Sequence, residues 1–289
     1  MVETELHIRC ADGRLLAASL HGGREQARPV AVIAGATGVC RRLYARYASY
    51  LVTRGITAIT FDYRGVGGSR SGPIRHDPAR LGDWGRLDLS ASLDWARNEL
   101  RPRQLCVVAH SVGGQLLPLV AAPDRVDAVV CVAAQEGYWG HWPMPLRAAF
   151  WLLCWVVMPS LVGLAGFLPA RILRLGEDLP PRVGLEWARW ARTRDYLQRD
   201  PFFDRLAAPV LAYSFSDDML APSRAVDRLL SSQPRLAVLR RHVSPRDLGL
   251  PRVGHFGFFR NDLSGSLWAE SGDWLLDVLR RSDAARGSS

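Results

Sequence analysis

The chain of 289 residues contains no lysine, so arginine supplies its basic side chains apart from histidine. This absence excludes Schiff-base chemistry, a lysine general base and a phosphate-binding loop that depends on lysine. The formal net charge is +9, but no run of arginine exceeds two residues. A nucleic-acid-binding protein would concentrate its positive charge on one face or tail. The sequence therefore argues against a nucleic-acid partner.

Paired cysteines and metal-binding patterns are also lacking. The five cysteines are an odd number without CxxC spacing, and several lie in or beside apolar runs, where a free thiol behaves as a small hydrophobic group. The first ten residues carry early acidic side chains and no apolar run of the kind that secretory signals contain. We predict a reducing, cytoplasmic location, with no metal and no cofactor.

The hydrophobic pattern predicts an α/β fold. Asp12-Gly13 is a hairpin-turn signal between two short strands, and later apolar runs alternate with helical stretches. We expect a mainly parallel sheet with an N-terminal antiparallel hairpin and helices on both faces. A closing helix is expected over about 262–280. The predicted strands are 5–10, 14–20, 29–35, 56–63, 105–110, 126–134, 209–215 and 236–241.

Residues 136–207 interrupt this alternation and are predicted to form a helical lid insertion. They contain six tryptophans, and their centre, 148–168, carries no charge. A membrane span is the alternative, but the segment lies between core strands and contains proline and glycine. Contact of the lid with a membrane surface stays open. The expected domains are an α/β core (1–135 and 208–282), the insertion, and a flexible tail (283–289).

Ser111 is the candidate nucleophile. The stretch "VVAHSVGGQ" places it after an apolar strand, with Ala109 and Gly113 two residues away on either side. Small residues at these positions suit the sharp strand-to-helix turn of a nucleophile elbow, for which G-x-S-x-G is the usual pattern. The alternative is a serine that only caps a buried helix.

Two partners follow in the order that a Ser-Asp-His triad of this type requires. Asp217 and Asp218 come after the strand 209–215, and His255 lies in the loop beyond the last strand. His255 would accept the proton of Ser111, and a carboxylate would orient the imidazole. His242, at the end of a strand, is the rival histidine.

An oxyanion hole needs two backbone N–H donors. Val112, directly after the nucleophile, is predicted to supply one. Ala36, in the "AGATG" loop after the third strand, is the expected second donor, with Thr37 next to it. Trp139 in the insertion and Phe256 beside His255 are the candidate substrate-binding residues. The aromatic residues of the insertion either bind an apolar group or form a small core of their own.

Taken together, these segments resemble the α/β-hydrolase superfamily along the whole chain. "FDYRGVGGS" is similar to a D-x-R-G-x-G-x-S segment of that superfamily. The motifs "ATGV", "HSVGGQ", "GYW", "LGEDLP", "FSDD" and "GHFGFFR" further resemble bacterial predicted hydrolases related to serine aminopeptidase-like and lysophospholipase-like enzymes. The resemblance implies a triad of Ser111, Asp218 and His255. It favours Asp218 through the family's G-x-x-D spacing, although Phe215 replaces that glycine and leaves Asp217 as an alternative.

The sequence thus predicts a cofactor-independent serine hydrolase that cleaves a small apolar or acyl-chain ester through an acyl-enzyme. A serine peptidase, a thioesterase and a lysophospholipase are alternatives within the same chemistry. Glu177-Asp178 would favour a peptidase if this pair bound a substrate amine. A non-catalytic ligand-binding protein and a membrane-associated protein are alternatives of other classes.

Overall fold

Eight strands form one sheet in the computed structural model, which describes residues 3–25, 27–122, 125–173, 175–201, 203–259 and 263–287. The strands are β1 (Glu3–Arg9), β2 (Leu15–His21), β3 (Val30–Ala34), β4 (Thr57–Phe61), β5 (Leu105–His110), β6 (Ala128–Val132), β7 (Pro209–Phe215) and β8 (Ala237–Val243). Their spatial order is β1-β2-β4-β3-β5-β6-β7-β8. The pairs β1–β2 and β2–β4 are antiparallel and the remaining pairs are parallel. The predicted sheet, with its N-terminal hairpin, is confirmed.

Continuous apolar runs form the central strands because both faces of the sheet are covered. Every residue of β3, β4, β5 and β6 is buried. Strand β8 lies at the edge of the sheet, and most of its residues are exposed or half-buried. The carboxyl ends of the parallel strands meet at one edge of the sheet, which is where sites form in folds of this class.

Nine α-helical segments accompany the strands in the part of the chain that the structure describes. They are α1 (Ala45–Thr53), α2 (Leu81–Asp83), α3 (Ser90–Trp95), α4 (Val112–Leu116), α5 (Leu146–Leu152), α6 (Met158–Ala165), α7 (Pro181–Arg192), α8 (Ser223–Ser231) and α9 (Leu267–Gly287). A stretch of π-helix, Trp84–Leu89, joins α2 to α3, and a second, Ala96–Leu100, extends α3, so that 81–100 is one helical run. Another, Leu153–Val157, joins α5 to α6.

The helices cover opposite faces of the sheet. Helices α1 and α9 pack together, with the Tyr47 hydroxyl 2.9 Å from Oγ of Ser271. Tyr213 of β7 points to that side and contacts Phe258, whereas Val210 points to the other side, beside α4 and α8. Helix α9 begins later than predicted and continues to Gly287, so it includes most of the expected tail. Residues 260–262 and 288–289 lie outside the described residues.

The region between β6 and β7 is built mainly of helices. It contains α5, α6 and α7, two short 3₁₀ helices, and one isolated antiparallel bridge between Leu168 and Leu179. The bridge is the one extended pairing that the described part of this region holds, and the sequence analysis did not predict it. The region's position places α5 and α6 over the carboxyl ends of the central strands, where they line a cavity.

Candidate active site

Ser111 lies on the sharp turn between β5 and α4. Its backbone has φ +54° and ψ −117°, a combination that non-glycine residues rarely adopt. A Cβ at Gly113 would lie 2.3 Å from the carbonyl oxygen of Ala34, so glycine is required there. Ala109 is fully buried, and the turn accommodates its methyl group. This is the geometry of a nucleophile elbow, in which the strained turn raises the serine above the sheet.

Asp218 and His255 are brought together by the loops after β7 and β8. Oδ2 of Asp218 is 2.7 Å from Nδ1 of His255, and both side chains are buried. Oδ1 of the same carboxylate accepts hydrogen bonds from the N–H groups of Leu220 and Ala221, at 2.8 and 3.1 Å. Because a carboxylate only accepts, Nδ1 of His255 carries the proton and Nε2 is left as the basic nitrogen.

Asp217 has a different partner set, although it is adjacent to Asp218. Its carboxylate accepts hydrogen bonds from the backbone N–H groups of Val253 and Gly254, at 2.9 and 3.0 Å. It therefore holds the loop that carries His255 and does not contact the imidazole. The structure places Asp218, and not Asp217, against the histidine. The rival histidine, His242, bonds Oγ of Ser214.

A chain of hydrogen bonds connects the loop after β3 with the backbone of His255. The N–H of Ala36 donates to the hydroxyl of Tyr44 at 2.8 Å, and that hydroxyl is 2.9 Å from Nδ1 of His110. Nε2 of His110 lies 3.0 Å from the carbonyl oxygen of His255, so Nε2 is the donor. Nδ1 then accepts from Tyr44. Burial, together with the nearby His255, holds the pKa of His110 well below its usual value, which keeps this ring neutral.

The predicted second oxyanion donor, Ala36, is therefore engaged elsewhere. Its N–H already bonds to Tyr44, so it is not available to a substrate oxygen. The next amide, that of Thr37, has no hydrogen-bond acceptor in the part of the chain that the structure describes, and Thr37 lines the same cavity as Ser111. The N–H of Val112 is the first of α4 and has no acceptor within its helix. Thr37 replaces Ala36 as the candidate donor.

Ser111 and His255 both line one cavity, in which the centres of water-sized molecules can occupy about 70 Å³. Most of the lining is apolar, and it includes Phe256, one of the two candidate substrate-binding residues. Trp139 does not line this cavity: it lies in a short 3₁₀ helix, and its ring contacts Tyr138. The lining instead includes the following aromatic, aliphatic and sulphur side chains: Trp142, Phe150, Leu153, Cys154, Met158 and Trp187.

The side chain of Ser111 makes no hydrogen bond to another described residue, whereas His255 bonds Asp218 through Nδ1. Catalytic hydrogen bonds often tighten only when substrate is present. Within the described ranges, no group of three or more His, Cys, Asp or Glu side chains could hold a metal ion.

The sequence analysis missed Tyr44, His110 and the tryptophans of the cavity. His110 is adjacent to Ser111 in the elbow motif, but only the fold brings Tyr44 to it. Spacing gives no signal for either contact. Trp142 and Trp187 lie among the six tryptophans of the insertion, and nothing in their local sequence separates them from Trp139.

A sequence-family model described as alpha/beta hydrolase fold matches residues 28–159, which include β3 to β6 and Ser111. Similar solved structures include an esterase from Pyrococcus furiosus, with a TM-score of 0.62 and 13% identity over 96% of this chain and 91% of that chain. An esterase from Exiguobacterium antarcticum has a TM-score of 0.61 and 13% identity over 96% of this chain and 100% of the other. The chain has the α/β-hydrolase fold.

A hypothetical protein from Pseudomonas aeruginosa shares this α/β-hydrolase fold with a TM-score of 0.66 and 16% identity, over 96% of this chain and 93% of that one. No curated protein shows significant sequence similarity to the chain. At such identities the likeness establishes the fold, whereas function has to be argued from the site. The narrower resemblance to aminopeptidase-like and lysophospholipase-like enzymes stays a prediction.

Proposed function

We propose that this α/β-hydrolase-fold protein is a serine hydrolase that cleaves carboxylic esters with an apolar acyl or alcohol group. The observation that carries the proposal is the 2.7 Å contact between Asp218 and His255, in a cavity that also contains Ser111 on its strained turn. Solved esterases of the same fold support ester hydrolysis as the reaction class.

In the proposed mechanism Nε2 of His255 takes the proton of Ser111 as its oxygen attacks the ester carbonyl. Asp218 fixes the imidazole tautomer and stabilises the imidazolium that forms. The N–H groups of Val112 and Thr37 stabilise the negative oxygen of the tetrahedral intermediate. The alcohol leaves with the proton from His255. Water then attacks the acyl group on Ser111 while His255 takes a proton from the water. His255 returns this proton to the oxygen of Ser111 as the acid is released.

The lining of the cavity supports an apolar substrate. Aromatic and aliphatic side chains from α5, α6 and α7 surround the space next to Ser111, and burial raises the pKa of the Cys154 thiol to about 12, so this side chain acts as an apolar wall. Among the described residues, no carboxylate lines the cavity. Glu177 pairs with Arg70 and Arg171 outside it. These contacts disfavour a peptidase that binds a substrate amine through Glu177.

All five cysteines are free, which accords with the reducing, cytoplasmic compartment in which we propose that the enzyme acts.

A serine-directed fluorophosphonate probe tests the nucleophile. The wild-type chain should be labelled, and Ser111→Ala should lose the label together with at least ~10⁴-fold in esterase rate. Ser271→Ala is the matched control, because Ser271 is also buried but lies against Tyr47, away from the cavity. Labelling that persists in Ser111→Ala contradicts the assignment, and an unlabelled wild-type chain favours a non-catalytic binding protein. Equal rates for nitrophenyl esters of all chain lengths would contradict the apolar substrate site.

A further inference from the structure

The helical run over 146–165 is apolar on both of its sides. Cys154, Met158 and Val162, spaced four residues apart, form its buried side. The run is long and apolar enough to span a membrane, and only 17% of its most apolar 18-residue window is buried. The helix of a soluble domain normally carries charged or polar side chains on its solvent side. No charged residue occurs between 148 and 168.

Large apolar side chains occupy the exposed side of this run. Trp151, Leu152, Trp155 and Val156 are each between 42% and 48% exposed, and Leu164 is 86% exposed. Their spacing places them on one face of the helix. The two tryptophan rings stack at the surface with centroids 6.2 Å apart. We call these five residues the exposed apolar face. Contiguous exposed faces of this kind mark contacts with a partner or a membrane.

Arginines lie at the ends of the exposed apolar face and beside one of its tryptophans. Arg147 lies at the beginning of the run, and the Arg192 guanidinium is 5.0 Å from the centre of the Trp155 ring. Gly166 lies just beyond the other end, and a Cβ added to it would be 3.6 Å from Cβ of Arg75. Arg171 also lies beyond that end, where it pairs with Glu177. Arginine side chains therefore lie near both ends of the apolar face and against Trp155 within it.

We propose that the exposed apolar face docks on the surface of a lipid bilayer that contains anionic lipids. Tryptophan is favoured at the boundary between headgroups and acyl chains, and arginine beside it pairs with lipid phosphates. Each basic residue near an anionic surface raises the affinity by roughly fivefold. The hydrophobic face and the basic border then act together, as stable attachment to a membrane surface requires.

A bilayer surface fits better than a second copy of the chain. Two copies joined through this face in a symmetric dimer would bring their arginine borders close to each other, with like charges opposed. A membrane span fits less well, because the buried side of the run packs against α7 and lines the catalytic cavity. Gly184 of α7 lies against Val162: a Cβ added to this glycine would be 3.3 Å from Cγ2 of Val162. Insertion across a bilayer would break this packing.

Docking would also place the cavity beside the lipids. Leu153, Cys154 and Met158, on the side opposite to the exposed apolar face, line the cavity that contains Ser111. The lipids and the cavity would then lie on opposite sides of one helix, which favours an ester with a long, membrane-dissolved acyl chain as the substrate. This consequence rests on the proposed function, whereas the docking itself does not.

Flotation with vesicles tests the docking. The 289-residue chain carrying Ser111→Ala is used, so that the readout does not depend on hydrolysis. It should float with vesicles of phosphatidylcholine and about one-third phosphatidylglycerol, bind weakly to phosphatidylcholine alone, and be released by high salt. Adding Leu152→Glu should lower binding about tenfold or more. Leu239→Glu is the matched control, because Leu239 is 50% exposed against 48% for Leu152 but lies on the edge strand β8.

Results of three kinds would overturn the proposal. The first is an absence of binding to anionic vesicles, or an equal loss of binding in Leu239→Glu. The second is a dimer that sediments as such without lipid and becomes monomeric in Leu152→Glu, which would assign the face to a second copy. The third is protein that stays in the vesicles after washing with alkaline carbonate, which would indicate a span. Thermal unfolding confirms that both leucine variants are folded.

Discussion

Replacing each of the two neighbouring aspartates by asparagine separates their roles. The carboxylate of Asp218 contacts the imidazole of His255. That of Asp217 accepts from backbone N–H groups in the loop that precedes His255. An asparagine has nearly the same shape as an aspartate but presents one acceptor oxygen and one donor NH₂ group. The two substitutions therefore preserve volume and change only what each side chain can offer its neighbours.

The effect of Asp218→Asn follows from the contacts of the carboxylate. The N–H groups of Leu220 and Ala221 need an acceptor, so the oxygen of the new amide would stay with them and its NH₂ would face Nδ1 of His255. Nδ1 would then have to accept, and the ring proton would move to Nε2, which could no longer take a proton from the nucleophile. We expect kcat/KM to fall by ~10³ to 10⁴, which corresponds to about 4 to 5.5 kcal/mol.

The effect at Asp217 should be mainly structural. The single oxygen of an asparagine can still accept from Val253 or Gly254, but the charge that strengthens these bonds is lost. We expect the free energy of unfolding to fall by about 1 to 2 kcal/mol and kcat to change by less than ~10-fold.

Urea unfolding and the steady-state hydrolysis of a nitrophenyl ester measure the two quantities for each variant. The rate of fluorophosphonate labelling gives an independent measure of how readily Ser111 loses its proton. The reasoning is refuted if Asp217→Asn, correctly folded, loses as much activity as Asp218→Asn, or if Asp218→Asn stays within about tenfold of the wild type.

Two further predictions concern buried polar groups. Tyr44→Phe leaves the N–H of Ala36 and Nδ1 of His110 without partners, so the free energy of unfolding should fall by about 1–3 kcal/mol and kcat should also fall. In the control Tyr47→Phe, urea unfolding should show a loss of stability, but kcat should be unchanged; an equal loss of kcat would contradict a specific role for Tyr44. Burial lowers the pKa of His21, so the unfolded chain binds more protons below about pH 6.5 and stability should fall as the pH decreases through this range. His21→Gln should reduce the dependence of the unfolding free energy on pH by up to ~1.4 kcal/mol per pH unit. If urea titrations between pH 5 and 7 show the same dependence in this variant, His21 is not its source.

The fold could be predicted because hydrophobic periodicity and turn residues act locally. The segment 105–110 is a fully buried strand with the predicted bounds, and 209–215 is another strand whose bounds match. The order of Ser111, Asp218 and His255 is informative for a related reason. Parallel strands end at the same edge of the sheet, so residues that follow different strands come together there.

The predictions that were wrong concern residues whose roles depend on contacts remote in sequence. Ala36 and Thr37 are equivalent as backbone donors until the hydroxyl of Tyr44 engages one of them. Trp139 and Trp142 differ by three residues, but only Trp142 turns toward the cavity, where its indole N–H donates to the carbonyl oxygen of Met219. Side-chain direction within an irregular segment is set by such packing, and no local pattern encodes it.

His110 shows why the residue before Ser111 is constrained. Alternation along β5 turns its side chain away from that of Ala109, into a fully buried position. There a neutral imidazole can both accept from Tyr44 and donate to the backbone of His255. A lysine or arginine could only donate, and an aliphatic residue would leave both partners unpaired. One side chain thereby links the loop of Thr37, the candidate oxyanion donor, to the loop of His255, the proposed general base.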